Sequence, residues 1–392
     1  MPPRTISVAR SLAAGALAAA AGPLWACGGA APPPSAPVPA ASHAECVLPS
    51  TGGAVRDSLV AAASGADTAL LTPARARTPI GLSCTGRPLP RAAAAWNPDS
   101  TRTHWTLVVP AAAELARHWR DDRDAAATLR LAGVTSVVPL DDRRLVVGFA
   151  AAVDSVPAVF ADPALAAPRE ADAPSAIRLL APAGGDLRDA LDRGATVVTS
   201  DPAVIGYAGR RPGITPHPLP WNRTYVLLAP RGGSAPLDLA AGDSAEMRGA
   251  LARDAVRVAA RAAAPPYWWD STDCARAPAP GGSAAASVAY PAGDPVARAL
   301  AERIIAMSKT PALVARGVAD AELSAAITRG EYSAVVVPLP RRALVPCREI
   351  AAWPVGAAAL PLIETRPTAL LQPGAPALQV DYDGGLLVGE QP

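Results

Sequence analysis

The chain has 392 residues, a net charge of +2, and a composition half hydrophobic but only 4% aromatic, with alanine its commonest apolar residue. That length allows two lobes with cores of their own, and in so small a net charge nothing points to a nucleic-acid partner. The 44 prolines and 31 glycines suit many short elements joined by fixed turns.

Arg4 and Arg10 precede an apolar run from Leu12 to Ala21, and small Ala26 stands directly before Cys27. A basic head, a short apolar core and a small residue at the cleavage point read as a secretory signal peptide over residues 1–26, too short to span a bilayer permanently. Leu24-Trp25-Ala26-Cys27 is similar to the lipobox of bacterial lipoproteins, in which the cysteine is acylated and becomes the new N-terminus. Ordinary cleavage nearby, leaving Cys27 a free or paired thiol, is the alternative. Either way the working chain lies outside the cytoplasm, away from ATP and nicotinamide pools, which removes most enzyme classes. Residues 27–45 are Ala, Pro, Gly and Ser with almost no charge and read as a flexible tether. No later stretch has the apolar length of a membrane span.

Five cysteines are present, and assigning Cys27 to the lipid leaves Cys46, Cys84, Cys274 and Cys347. An even remainder in an oxidising compartment predicts two disulfides. The favoured pairing is Cys46–Cys84 with Cys274–Cys347, each within one region of the sequence; four reduced thiols are the alternative. No two cysteines have the close spacing of a structural zinc site.

Beyond Cys46 short strands and helices alternate. Thr103–Val109 and Leu145–Phe149 read as strands, with a helix over Ala111–Trp119 between them. Asp186 caps a helix whose Leu187, Ala190 and Leu191 share a face, and Gly194 ends it. Strands over Thr196–Thr199 and Tyr225–Leu228 bracket a helix begun by Asp201-Pro202. A longer helix starts at Asp243, with Glu246 completing a capping box, and stops at Pro265-Pro266. Asp294-Pro295 opens another. Asp320 then caps a helix ended by Arg329-Gly330 before the strand Tyr332–Val337, so the helix–glycine–strand unit of residues 186–199 recurs.

The order of these pieces resembles the bacterial extracytoplasmic solute-binding proteins of family 5, the oligopeptide, dipeptide and nickel type that serve ABC importers. The similarity runs through Gly86-Arg87-Pro88-Leu89-Pro90 with Ala94-Ala95-Trp96, Asp141-Asp142-Arg143-Arg144-Leu145, Asp186 to Gly206, and Pro220-Trp221-Asn222-Arg223-Thr224-Tyr225. It continues through Asp294-Pro295, Gly330-Glu331-Tyr332, Leu360-Pro361-Leu362 with Arg366-Pro367-Thr368, and Asp381-Tyr382-Asp383-Gly384. The resemblance implies an α/β, two-lobed periplasmic-binding-protein-like (type II) fold with mixed sheets and a hinge. Lobe I would comprise 46–235 plus 346–392 and lobe II 236–345. It implies a lipid-anchored substrate-binding subunit that takes a peptide or other small organic solute by hinge closure and docks on ABC permease subunits. The alternative is a divergent lipoprotein using the same body for sensing or scaffolding. The family's tryptophan-x-x-aspartate-tyrosine element is missing between Val337 and Leu360, and none of His43, His104, His118 and His217 lies in lobe II, which argues against nickel.

In two-lobed α/β proteins the guest sits near strand carboxyl ends and helix N-termini. Ser200 and Asp201 occupy such a place, although Asp201 can equally serve only as a cap. Eight tryptophans against two phenylalanines suggest aromatic clamps. Trp221 and Tyr225 at the lobe crossing and Trp268, Trp269 and Trp353 in or near lobe II are the candidates, each alternatively a core anchor. Arg366 is placed to meet a guest carboxylate, or an acid of its own lobe. No G-x-S-x-G elbow, H-E-x-x-H helix or P-loop occurs. The expectation is therefore a monomeric binder with no catalytic residues, no cofactor, no metal and no nucleic-acid partner.

Overall fold

The computed structural model describes residues 46–49, 51–52, 58–168, 176–181, 186–229, 267–278, 285–308 and 313–388. The signal segment, the lipobox cysteine, the tether and the long helix expected from Asp243 lie outside these residues.

Runs of Val, Leu, Ala and Thr form the centres of two mixed five-stranded sheets. The first has the order Thr215–Pro218, Thr368–Leu371, Thr196–Thr199, Leu59–Ala63, Ile177–Leu179. Thr196–Thr199 runs parallel to Leu59–Ala63 and antiparallel to Thr368–Leu371. The second has the order Val314–Val318, Ala285–Pro291, Tyr332–Pro340, Arg223–Ala229, Ala358–Thr365, with the first three strands parallel and the last two antiparallel additions. Each sheet is the framework of one lobe.

The recurring unit is present in both. Asp186 accepts a hydrogen bond from the Arg188 N–H and starts the helix Leu187–Asp192. Asp294 does the same for Pro295–Met307 through the Val296 and Ala297 N–H groups. Gly194 and Gly330 end their helices at φ of +79° and +66°, where a side chain would be strained. Asp320 differs from expectation: the helix Asp320–Arg329 starts on it and Ala319 takes the cap position without a side-chain bond.

A third, all-antiparallel sheet joins the first lobe, ordered Ala95–Pro98, His104–Val108, Arg144–Phe149, Val134–Pro139. The helices Ala112–Asp121 and Arg123–Leu131 pack on it, the second unforeseen from sequence. Both phenylalanines are here, Phe160 stacking on Trp119 and meeting Phe149 edge-on. The Trp119 indole donates to the Leu165 carbonyl, which removes the cost of burying that N–H.

The chain crosses between lobes twice, side by side. Leu219 N–H donates to the Pro367 carbonyl at 2.9 Å, and Asn222 N–H to the Thr365 carbonyl at 3.4 Å. The strand pairing groups the segments near the boundaries expected at 235 and 346 by sheet. Arg223–Ala229 is fully buried and laddered to Tyr332–Pro340 and Ala358–Thr365, so these strands and the helix Pro346–Ile350 between them belong to the second lobe. Both disulfides of the favoured pairing form: Cys46–Cys84 in the first lobe and Cys274–Cys347 in the second.

Candidate functional site

Between the lobes lies a cleft of about 900 Å³, within the range of roughly 300–1,000 Å³ typical of small-ligand sites. Its first-lobe wall is built from short turns that the sequence stiffens. Pro73 begins the 3₁₀ turn Pro73–Arg77, and Asp162 caps Pro163–Leu165 by accepting from Ala164 N–H. Asp122 caps Arg123–Leu131 through the Asp124 and Ala125 N–H groups. The second-lobe wall is the segment after Tyr332–Pro340, which brings Pro340, Arg342, Leu344, Arg348 and Glu349 to the cleft.

The lining mixes aliphatic surface from Leu70, Leu131 and Leu344 with ion pairs whose partners are internal. Arg75 meets Asp383 through two hydrogen bonds of 2.8 and 2.9 Å. Arg348 meets Asp162 at 2.8 Å. Burial opposes the Arg348 charge, but Asp162 outweighs it and raises the guanidinium pKa above its ordinary value. Burial also lifts the Glu349 carboxyl above the usual carboxylate range, against the pull of Arg348 at 3.6 Å. Such a surface suits a guest with both polar and apolar parts; among the described residues no group of three or more His, Cys, Asp and Glu is placed to hold a metal ion.

At the inner end, where the strand carboxyl ends of the two sheets meet, the space is filled. The Arg223 guanidinium donates to Asp67 at 2.7 Å, and both side chains are less than one-tenth exposed. Asp67 also accepts from the Ser200 N–H and hydroxyl, at 2.8 and 3.3 Å. The Tyr225 hydroxyl donates to Asp294. Burial opposes the Arg223 charge but Asp67 prevails, holding its pKa above the ordinary arginine value. Burial, reinforced by the Asp294 charge, raises the Tyr225 phenol, and burial raises Asp294 as well. What remains open among these groups is about 10 Å³.

None of the eight residues expected to hold a guest lines the large cleft. Ser200 and Asp201 sit at the filled inner end, Ser200 on Asp67 and Asp201 capping Pro202–Ala208 through Ala203 N–H. Tyr225, Trp269 and Trp353 are interior, at 1%, 1% and 2% exposure. Trp269 stacks on Tyr267 at 4.4 Å, and Trp268 donates its indole N–H to the Pro340 carbonyl at 2.9 Å. Arg366 lies 5.1 Å over the ring of Trp221, so these two meet each other at the crossing. Trp269 and Trp353 fill volume in a lobe where alanine offers little other bulk. Asp67 and Arg348 were not foreseen: one is a lone acid in an alanine-rich stretch, and the partner of the other is 186 residues away.

No family model and no protein of curated function matches the sequence. The fold does match solved structures. OppA of Listeria monocytogenes bound to peptide is 9% identical, with 85% of this chain and 99% of that chain covered at a TM-score of 0.52. The murein tripeptide binding protein MppA of Escherichia coli is 10% identical, covering 86% and 100% at 0.56. NikA from Brucella suis in complex with Fe(III)-EDTA is 11% identical, covering 83% and 94% at 0.51. The chain has the fold of family 5 solute-binding proteins. The two-lobed α/β expectation is thus borne out, with mixed sheets in both lobes. Among the described residues of this family 5 fold, no helix is long and apolar enough to cross a membrane.

Proposed function

We propose that the chain is the extracytoplasmic substrate-binding subunit of an ABC importer, anchored through a lipid on Cys27 and working as a monomer. Its guest is a peptide or another small organic solute with polar and apolar parts. The observation that carries this reading is the 900 Å³ cleft walled by both lobes, in a fold whose solved neighbours include OppA bound to peptide and a murein tripeptide binding protein. The role is binding, with no chemical step. A thermal-shift screen with dipeptides, tripeptides, oligopeptides, sugars and metal ions tests it. A guest at a hundred times its Kd adds about 2.7 kcal/mol to stability, and only the peptide or organic-solute arms should respond. A flat response across every peptide and organic solute abandons the reading. Mass spectrometry of the mature protein tests the anchor, which requires a diacylglyceryl mass on Cys27.

The filled inner end favours one second reading, a lipoprotein that keeps the two-lobed body for sensing or scaffolding. There the positions beside Ser200 and Asp201 are taken by Asp67, Arg223 and Tyr225 instead of a guest. Uptake of labelled peptide by cells with and without the protein separates the two: dependence on the protein supports import.

A further inference from the structure

The segment 341–350 leaves the second-lobe strand Tyr332–Pro340 and returns to the same lobe at Ala358–Thr365, yet its middle lies in the first lobe. Leu344 and Val345, at 9% and 1% exposure, belong to the core of the antiparallel sheet, with Leu107, Trp119, Phe160 and Leu165. Around this apolar plug, Arg348 bonds Asp162 at 2.9 Å and Thr128 at 3.4 Å. Arg342 donates to the Cys84 carbonyl at 2.6 Å and lies over the Tyr382 ring. The base of the arm is held equally firmly to its own lobe, by the Cys274–Cys347 disulfide and by the Trp268 indole on Pro340.

The lobes also touch beside the crossing. Gly65, at the end of a first-lobe strand, approaches Gly293 so closely that a Cβ on it would lie 2.6 Å from the Gly293 carbonyl oxygen. Beside that contact, Arg223 of the second lobe is ion-paired with Asp67 of the first. The lobes are therefore joined at two places: the double crossing, with the Asp67–Arg223 contact beside it, and the arm. Rotation about the crossing alone would expose Leu344 and Val345 to water and separate buried charges, both unfavourable.

We infer that the arm formed by residues 341–350 is a clamp that holds the lobes closed without a guest, so that solute enters a preformed cleft instead of closing an open one. This replaces the guest-driven hinge closure expected from the sequence. The arm is at once latch and wall, since Arg342, Leu344 and Arg348 line the cleft they keep shut. A guest binding equally to the same closed shape shifts no conformational equilibrium.

Single-molecule energy transfer tests this on the full chain, with dyes on non-natural side chains replacing exposed Arg117 in the first lobe and Ser324 in the second. The ligand-free protein should give one narrow efficiency population that added di- and tripeptides do not move. Leu344→Asp with Val345→Asp should shift it to lower efficiency and raise amide exchange in residues 123–131 at least tenfold. The pair Cys274→Ser with Cys347→Ser, milder in its effect on the core, should show a low-efficiency fraction absent from the parent. An open or two-state ligand-free parent, or a peptide-driven rise in efficiency, overturns the clamp; so does an unshifted Cys274→Ser/Cys347→Ser protein. Each result is read without an identified guest, so a failed clamp and a failed import reading are told apart.

Discussion

Arg223 and Asp67 form a buried pair whose removal has opposite consequences depending on whether one or both charges go. Each side chain is less than one-tenth exposed. Arg223→Met leaves the Asp67 carboxylate without its cation, and Asp67→Asn leaves the guanidinium without its anion; either should cost about 3–5 kcal/mol. Unfolding entropy of roughly 2 cal/mol/K per residue gives about 0.7 kcal/mol/K for a body of this size, so each single variant should melt about 4–7 °C lower. The double variant removes both charges of the pair, and its asparagine oxygen still accepts from the Ser200 N–H, which the parent bonds at 2.8 Å. It should therefore lose less than either single variant, with a coupling of about 2 kcal/mol or more in the cycle. Calorimetry and urea titration of the four proteins measure this. A cost under about 1 kcal/mol for Arg223→Met, or a double variant that merely sums the two losses, would refute the argument.

Burial pushes the Asp381 carboxyl up to about 6, against Arg91 and Arg75. The folded state therefore holds a proton that the unfolded chain releases near pH 4. This site should favour folding fully below pH 4 and lose that contribution, up to about 3 kcal/mol, as pH rises through 6; Asp381→Asn should flatten the fall in urea midpoint over that window. Gly65→Ala combines a φ of +53° with a Cβ that meets the Gly293 carbonyl. It should cost at least about 1–2 kcal/mol from the left-handed backbone alone, and a melting point equal to the parent's would contradict the close approach. The Cys274–Cys347 bond closes a separation of 73 residues, worth about 4 kcal/mol by loop entropy. Replacing both cysteines by serine should lower the guanidinium midpoint accordingly, with no loss if the thiols are unpaired in the native protein.

Elements carried by local chemistry were legible in the sequence. The strand Thr196–Thr199 and the helix starts at Asp186, Asp201 and Asp294 stand where β-branched runs and cap residues put them. What sequence could not supply were partners distant along the chain. Arg223–Ala229 reads as a strand in isolation, but its lobe is fixed by Tyr332–Pro340, over a hundred residues later. The large cleft was not legible for a related reason. Strand ends and aromatic residues pointed to Ser200, Trp269 and Trp353, whereas the open space lies where unremarkable turns such as Pro73–Arg77 face the arm. An aspartate among alanines, as at Asp67, carries no local sign that an arginine will bury against it.

In the first-lobe sheet, Thr368–Leu371 lies between Thr196–Thr199 and Thr215–Pro218. Its neighbours leave the ribosome roughly 150 residues before it does, a delay of about 10–30 s at ordinary translation rates. For that interval the leading half lacks an interior ladder and cannot close its hydrogen bonds. The first-lobe sheet is thus sealed only by nearly the last residues to emerge.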